Sequence, residues 1–424
     1  MSDRGPDVAT SEGVSRRGFL GGLGAVGAGA ALAASGGLAA CSEDTSAHTS
    51  GGTTGQVLPF DGAHQAGIAT PAQDRVAFAA LDVTTGDPDQ LAQLLDRWSA
   101  SARAMTQGSP VPGAMTDQLA APADTGEAYG LSPAKLTVTI GFGPSLFDRR
   151  FGLAARKPKA LAELPPLPGD ELDPAFVGGD LCIQACSDDP QVAFHAVRNL
   201  ARQGTGTVVH RWMQLGFGRT SSTTSQQLTP RNLMGFKDGT RNITSDDAGL
   251  MDGHVWVGDE SDQPWLRGGS FVVARRIRML LEIWDRNMLA EQEATFGRAK
   301  LTGAPLSGHK ERDVPDFTAR GADGQLVIPA DAHVRLASPE HNRGVRILRR
   351  GYSFTDGIDP GTGSLLGGLF FLAYMKDPQQ FVTLQRSLGR ADALREYIRH
   401  IGSAVFACPP GTTATSSWRD HLFS

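Results

Sequence analysis

The order of elements between residues 74 and 218 is the strongest constraint on the fold. DRVAFAALDVTT (74–85) is rich in strand formers, and DPDQLAQLLDRWSASARAM (87–105) spaces its apolar residues as an amphipathic helix does, with Asp87 as its cap. KLTVTIGFG (135–143) alternates as a strand, and GGDLCIQACS (178–187) is a second. DPQVAFHAVRNLARQ (189–203) is helical again, and GTVVHRWMQLGFG (206–218) is a strand. β-α-β-β-α-β is the order of a ferredoxin-like unit. The second half repeats it more loosely. It has a strand at 268–279, a helix at 280–298, strands at 343–354 and 367–375, and helices at 377–388 and 391–402, before SAVFACPPG. An irregular insert, 299–342, parts the helix from the next strand, and loops of that length are usually functional. We therefore expect an α+β protein of two ferredoxin-like domains, 61–225 and 226–424, with room for a ligand between sheet and helices.

Ahead of the first domain, SRRGFL (15–20) leads into an uncharged Gly/Ala/Leu run from Gly18 to Ala40. Paired arginines before a weakly hydrophobic segment resemble a twin-arginine export signal. The other reading is a membrane anchor, since the run is long enough to span the ~30 Å core of a bilayer. Glycine-rich runs insert weakly, which favours export to the cell envelope or beyond. LAAC (38–41) resembles a lipoprotein box that would place a lipid on Cys41, and a plain small-residue cleavage site is the equal alternative. The signal is taken as 1–41 and the Ser/Thr/Gly stretch 42–60 as a disordered linker with nothing to bury. Twin-arginine export carries chains already folded, a route common for proteins that take up a cofactor in the cytoplasm.

A formal charge of −5 on 424 residues gives no basic footprint for nucleic acid. Cys182 and Cys186 lie four apart on one expected strand, roughly 13 Å, too far for a disulfide. No CxxC or His/Cys cluster suggests zinc.

The stretch NLMGFKDGTRN (232–242) sets an acid, Asp238, between Gly235 and Gly239 with charges on both sides. Asp-Gly is a hairpin-turn signal on its own. Three further segments change its weight: ADAHVRL (330–336), RILRRGYSF (346–354) and GLFFLAYMKDPQQF (368–381). In this order and spacing the four resemble the dye-decolorizing peroxidases, a family of haem enzymes. Within that family the likeness is to the exported deferrochelatase/peroxidase branch of bacterial iron-uptake systems. It runs from HQAGI at 64 to FACPPG near 411, nearly all of the mature chain.

The resemblance implies a fold of the dimeric α+β barrel type, with one haem b per chain in the C-terminal domain. It places Asp238 over the distal face of the haem, His333 as axial ligand to the iron, and Arg349 as the distal cation. Leu369 and Phe371 would narrow the distal pocket. Gly239, Thr240 and Arg241 would run along the haem edge, as would Ser338, Pro339 and Glu340. This second turn reads Ser-Pro-Glu where the family has Asn-Pro-Arg, so the resemblance does not carry over its contacts with the haem propionates. The implied reaction reduces hydrogen peroxide through a ferryl intermediate and oxidises dyes or other bulky reductants. Two alternatives stand beside it: release of iron from haem with the porphyrin intact, and a non-catalytic haem-binding lipoprotein. A carrier has no need of Asp238 or Arg349. Iron-uptake components and a homo-oligomer are further partners the resemblance allows, and the membrane enters only through a lipid on Cys41.

The chemistry asks for these residue types. Imidazole on one side of a haem iron leaves the other side open to peroxide. Cleaving the O–O bond needs a proton carried from one oxygen to the other, which a carboxylate does only if it is ionised at rest. A neighbouring arginine lowers an acid's pKa by ~1–3 units and stabilises charge on the departing oxygen. Glycines beside the acid let backbone approach a porphyrin closely.

Each residue also has a plainer reading. A lone histidine such as His333 is more often surface or satisfied core, and His195 and His210 are read so. Arg349 alone suits a strand-edge charge. Leu369 and Phe371 alternate as core positions. Asp392 could orient the imidazole of His333, but on an expected helix, surface solvation is the favoured reading.

Overall fold

The computed structural model describes residues 56–423. The first half carries β1 (Arg75–Val83), β2 (Thr137–Phe142), β3 (Leu181–Ser187) and β4 (Val208–Arg219), with helices Pro88–Thr106 and Pro190–Gln203 in the expected places. Both helices start alike. The carboxylates of Asp87 and Asp189 accept from first-turn N–H groups, and a proline follows at the position where no N–H is needed. The four strands pair antiparallel in the order β2-β3-β1-β4.

The second half carries β5 (Ser270–Met279), β6 (Leu348–Arg349), β7 (Tyr352–Ile358), β8 (Leu365–Met375) and β9 (Ile398–Cys408). Its order is β9-β5-β8-β7, with β6 as a two-residue addition to β8. With β6 set aside, the two halves have the same strand order. They join edge to edge: β2 meets β9 at Phe142↔Ala407, and β4 meets β7 at Phe217↔Ser353 and Arg219↔Tyr352. Eight strands thereby close into a barrel, which removes the free edges that each sheet would have alone.

Alternation along the strands divides the core. On β1, Ala77, Ala79, Leu81 and Val83 face the helices. Val76, Phe78 and Ala80 face the barrel interior, where they join Trp212, Tyr352, Phe370, Tyr374 and Phe406. The cysteines Cys182, Cys186 and Cys408 are free and buried. Arg350 is fully buried behind this wall, its guanidinium donating to Thr70 O and Gln73 Oε1.

Three expected elements differ. Residues 391–402 are not a helix: only Ala393–Glu396 turns, and Ile398–Cys408 is a strand between β5 and β2. A bulge pairs Arg276 with Gly402 but Ile277 with His400, and this extra residue breaks the alternation that marks a strand. The helix expected at 280–298 is two short ones, Leu281–Trp284 and Leu289–Phe296. The Gln292 side chain takes up the carbonyls of Trp284 and Asn287 that the interruption frees. The strand expected at 343–354 begins only at Leu348, because Arg343 and Gly344 turn the chain with φ of 55° and 83°.

The ordered chain also starts before residue 61. Gln56 O accepts from Lys135 N, and Phe60 is buried with its ring 5.2 Å from that of Trp418. The signal segment and Cys41 lie outside the described residues. Among the described residues no helix is long and apolar enough to cross a membrane.

Candidate active site

A cavity of about 490 Å³ lies between the outer face of the second sheet and the helix Gln379–Ala391. β5 contributes Arg275, Ile277 and Met279, β8 contributes Leu369 and Phe371, and the helix contributes Leu384, Gln385 and Leu388. β6 adds Arg349, β9 adds Ile398, Arg399 and His400, and the helix Leu289–Phe296 adds Phe296; much of the remaining wall comes from loops, chiefly 230–241 and the insert 299–342.

The first loop is folded by its own polar side chains. Asn232 Oδ1 accepts from Met234 N at 3.1 Å and Phe236 N at 3.3 Å, and Asp238 N donates to Pro230 O at 2.9 Å. Gly235 and Gly239 have φ of 83° and 88°, whereas Asp238 does not have positive φ, so Asp-Gly is not a primed hairpin turn here. A Cβ at Gly239 would also stand 3.0 Å from Ser221 Cα. The glycine is thus required by the backbone it packs on.

The loop delivers Asp238 to Arg349, whose Nη1 donates to Asp238 Oδ1 at 2.5 Å. Asn232 Nδ2 is 3.4 Å from the other carboxylate oxygen. Arg349 is itself held by Asn242, whose Oδ1 accepts from Arg349 N and whose Nδ2 donates to Arg349 O, both at 2.8 Å. Acid, cation and amide form one assembly from segments more than a hundred residues apart.

On another wall, His333 opens the four-residue helix His333–Leu336. Its Nδ1 lies 2.7 Å from Asp392 Oδ2, and Asp392 Oδ1 accepts from Leu394 N at 2.9 Å. Ala393 N donates to Asp331 O at 3.0 Å, tying the two segments together. With Nδ1 given to Asp392, the imidazole turns its unbonded Nε2 towards the cavity. Burial pulls the pKa of His333 down; the charge and hydrogen bond of Asp392 pull it up, Asp238 adds to the rise and Arg349 opposes it. The net shift is upward.

Of the residues singled out in the sequence, Asp238, Gly239, Thr240, Arg241, His333, Ser338, Pro339, Arg349, Leu369 and Phe371 all line this one cavity. Glu340 does not. It stands at the rim in a 2.7 Å ion pair with Arg241. Asp392 is not solvated on a helix surface; it is 5% exposed and bonded to His333. Asn232 and Asn242, both in the same stretch as Asp238, join the site without a motif that marks them.

The donor set fits haem. A buttressed imidazole presents one nitrogen, a carboxylate–guanidinium pair shares its cavity, and Ile277, Met279, Phe296, Ile347, Leu369 and Leu388 offer apolar surface to a flat ring. On a barrel of two ferredoxin-like sheets, these features define a haem peroxidase. Comparison with known proteins names the family. The chain belongs to the Dyp-type peroxidase family: the profile "Dyp-type peroxidase, N-terminal" matches residues 65–218 and "Dyp-type peroxidase, C-terminal" matches 229–413. A curated relative, the deferrochelatase of Escherichia coli O6:K15:H31 (strain 536), is 39% identical over 405 residues, covering 94% of each chain. The DyP-type peroxidase from Streptomyces coelicolor superposes with a TM-score of 0.80 at 39% identity, covering 87% of this chain and 98% of that one. Ferric DtpA from Streptomyces lividans gives 0.80 and 39%, covering 87% and 97%.

Proposed function

We propose that this protein is a haem b peroxidase that reduces hydrogen peroxide and oxidises bulky organic reductants, with the residues acting as follows. His333 would hold the cofactor through Nε2, with Asp392 fixing the ring and raising the basicity of that nitrogen. Haem, when bound, supplies the iron at which peroxide is reduced. Asp238 takes the proton of one peroxide oxygen and returns it to the other, which leaves as water. Arg349, paired with Asp238 at 2.5 Å, faces the negative charge that develops on the departing oxygen. Asn242 fixes Arg349 through its backbone, so the guanidinium needs no reorientation during reaction. Leu369 and Phe371 exclude bulky molecules from this side, so large reductants give up their electrons elsewhere.

One observation carries the reading: a carboxylate–guanidinium pair and an imidazole–carboxylate pair share a single cavity. The test is an absorption spectrum of apoprotein with added haem, before and after peroxide. A Soret band that forms and then shifts on peroxide supports the reading, and a chromophore that stays unbound ends it.

A second reading has its own support, because relatives 39–40% identical to this chain are named deferrochelatase. Release of iron from haem with the porphyrin intact would use the same pocket. The products separate the two: free protoporphyrin without peroxide, or oxidised dye with it. Export by the twin-arginine route, with Cys41 either lipidated or removed with the leader, is supported by SRRGFL and LAAC. The mass of the mature N-terminus tests it. Association with iron-uptake components or with a second copy would follow from the deferrochelatase reading.

A further inference from the structure

Four cations stand around the Asp238 side of the cavity: Lys237, Arg241, Arg298 and Arg349. Three have a carboxylate partner. Lys237 pairs with Glu311, Arg241 with Glu340 at 2.7 Å, and Arg349 with Asp238 at 2.5 Å. Arg298 has none among the described residues, although it is only 7% exposed. It follows Gly297, the left-handed cap of helix Leu289–Phe296, at the point where the chain enters the insert. Its Nη1 donates to Gly303 O at 2.6 Å and Glu311 O at 3.0 Å. Among the described residues Nη2 and Nε have no hydrogen-bond partner, neither is fully sealed beneath other atoms, and Arg298 lines the cavity. Burial, then repulsion from Arg241, lowers the pKa to about 10; the charge of Glu311 only partly offsets this, and Arg349 lowers it further.

A buried cation without an anion is costly, and bonds to two neutral carbonyls do not replace one. Nε–H and Nη2–H point the same way along one edge of the guanidinium. That edge is the two-pronged fork that matches a carboxylate. Haem b carries two carboxylates on an otherwise apolar ring. We propose that Arg298 binds a carboxylate of the porphyrin through its Nε/Nη2 edge, completing the charge balance that the protein leaves open. The proposal rests on the haem reading above and extends it to how the pocket selects its ligand. It takes a porphyrin with free carboxylates in preference to one whose carboxylates are masked.

The plainer role for Arg298 is to pin the insert through Gly303 and Glu311, and the experiment separates the two. Apoprotein is titrated with haem and with haem dimethyl ester, which has the same ring and iron but no carboxylate charge, and the Soret band is followed. Wild type should prefer haem over the ester by roughly ten- to a hundredfold, the size of a charge-assisted hydrogen-bonded pair. Equal affinity in wild type overturns the proposal without any variant. Arg298→Gln, which can still donate to the two carbonyls, should lose most of this preference by weakening haem while leaving the ester within about threefold. Arg298→Lys, which keeps the charge without the fork, should recover part of it. A Gln variant that retains the full preference, or one that loses haem and ester alike, assigns Arg298 to pinning the insert and overturns the proposal. Wild type that binds neither porphyrin removes the haem reading itself.

Discussion

The two sheets of the barrel share a strand order and differ in what covers them. On the first, Leu91, Leu94, Leu95 and Trp98 from one helix and Val192, Ala196 and Leu200 from the other pack onto the strands, and all are buried. On the second, the corresponding first helix is cut at 285–288 into two short pieces. The outer faces of β5 and β8 then line a cavity instead of a core, and the insert that follows the broken helix delivers His333 to it. A ligand site thus arises in a ferredoxin-like unit when the unit gives up one packed helix. The vacated space is bounded by loops, and loops carry the polar residues that chemistry needs.

If this contrast is right, damage to the two halves should differ in kind. The largest effect is expected at Asp238 in the second half. Asp238→Asn should lower peroxide turnover by about 10²–10⁴-fold, the usual range for loss of a proton carrier, while the haem spectrum is retained. Unchanged turnover in stopped-flow would remove Asp238 from the mechanism. In the first half, Trp98→Ala should instead lower the unfolding free energy by roughly 3–5 kcal/mol without touching the haem spectrum. Phe371→Ala, which faces the cavity, should cost the apoprotein clearly less in the same urea titration; equal losses would erase the contrast.

A smaller effect is expected at the link between His333 and its carboxylate. Asp392→Asn should weaken haem by about 10–100-fold in a Soret titration, the range found when the partner of a metal-binding histidine is lost. Unaltered affinity would make Asp392 a cap and nothing more. The smallest effect concerns pH. His400, on the cavity wall, is held at about 3 by burial, then by the charge of Arg275. Its folded value lies below the ordinary 6.5, so between these values the unfolded chain binds the extra proton and stability falls as pH falls. His400→Asn should flatten that decline by at most about 2 kcal/mol between pH 6.5 and about 5. A slope unchanged by the substitution would mean that His400 is not neutral in the fold.

The same contrast explains what could be read in advance. The first half was legible because its helices and strands follow their own periodicities, and Asp87 and Asp189 announce the helix starts. In the second half, Asp238, His333 and Arg349 stood out through their motifs and do share a cavity. The roles of Asn242 and Asp392 depend on partners distant in sequence, and no local pattern marks them. Residues 398–402 looked helical because a bulge interrupts the strand's alternation and Arg399 and His400 suggest a wet face. Glu340, which the resemblance sets along the ligand edge with Ser338 and Pro339, pairs with Arg241 and does not itself line the cavity.

The doublet Arg349–Arg350 has a further consequence. One arginine meets Asp238 in the cavity, and its neighbour is sealed inside the barrel against Thr70 and Gln73. A slip of β6 by a single position would exchange them, and composition would hardly reveal the error. The strand is only two residues long, so its pairing with β8 is a weak guarantee of phase. Asn242 from one side and Gln73 from the other act as proofreaders, accepting the chain only in the frame that puts the right guanidinium on the right side of the wall. Lengthening the 343–347 turn by one residue should therefore be absorbed in the turn, with each guanidinium still on its own side of the wall.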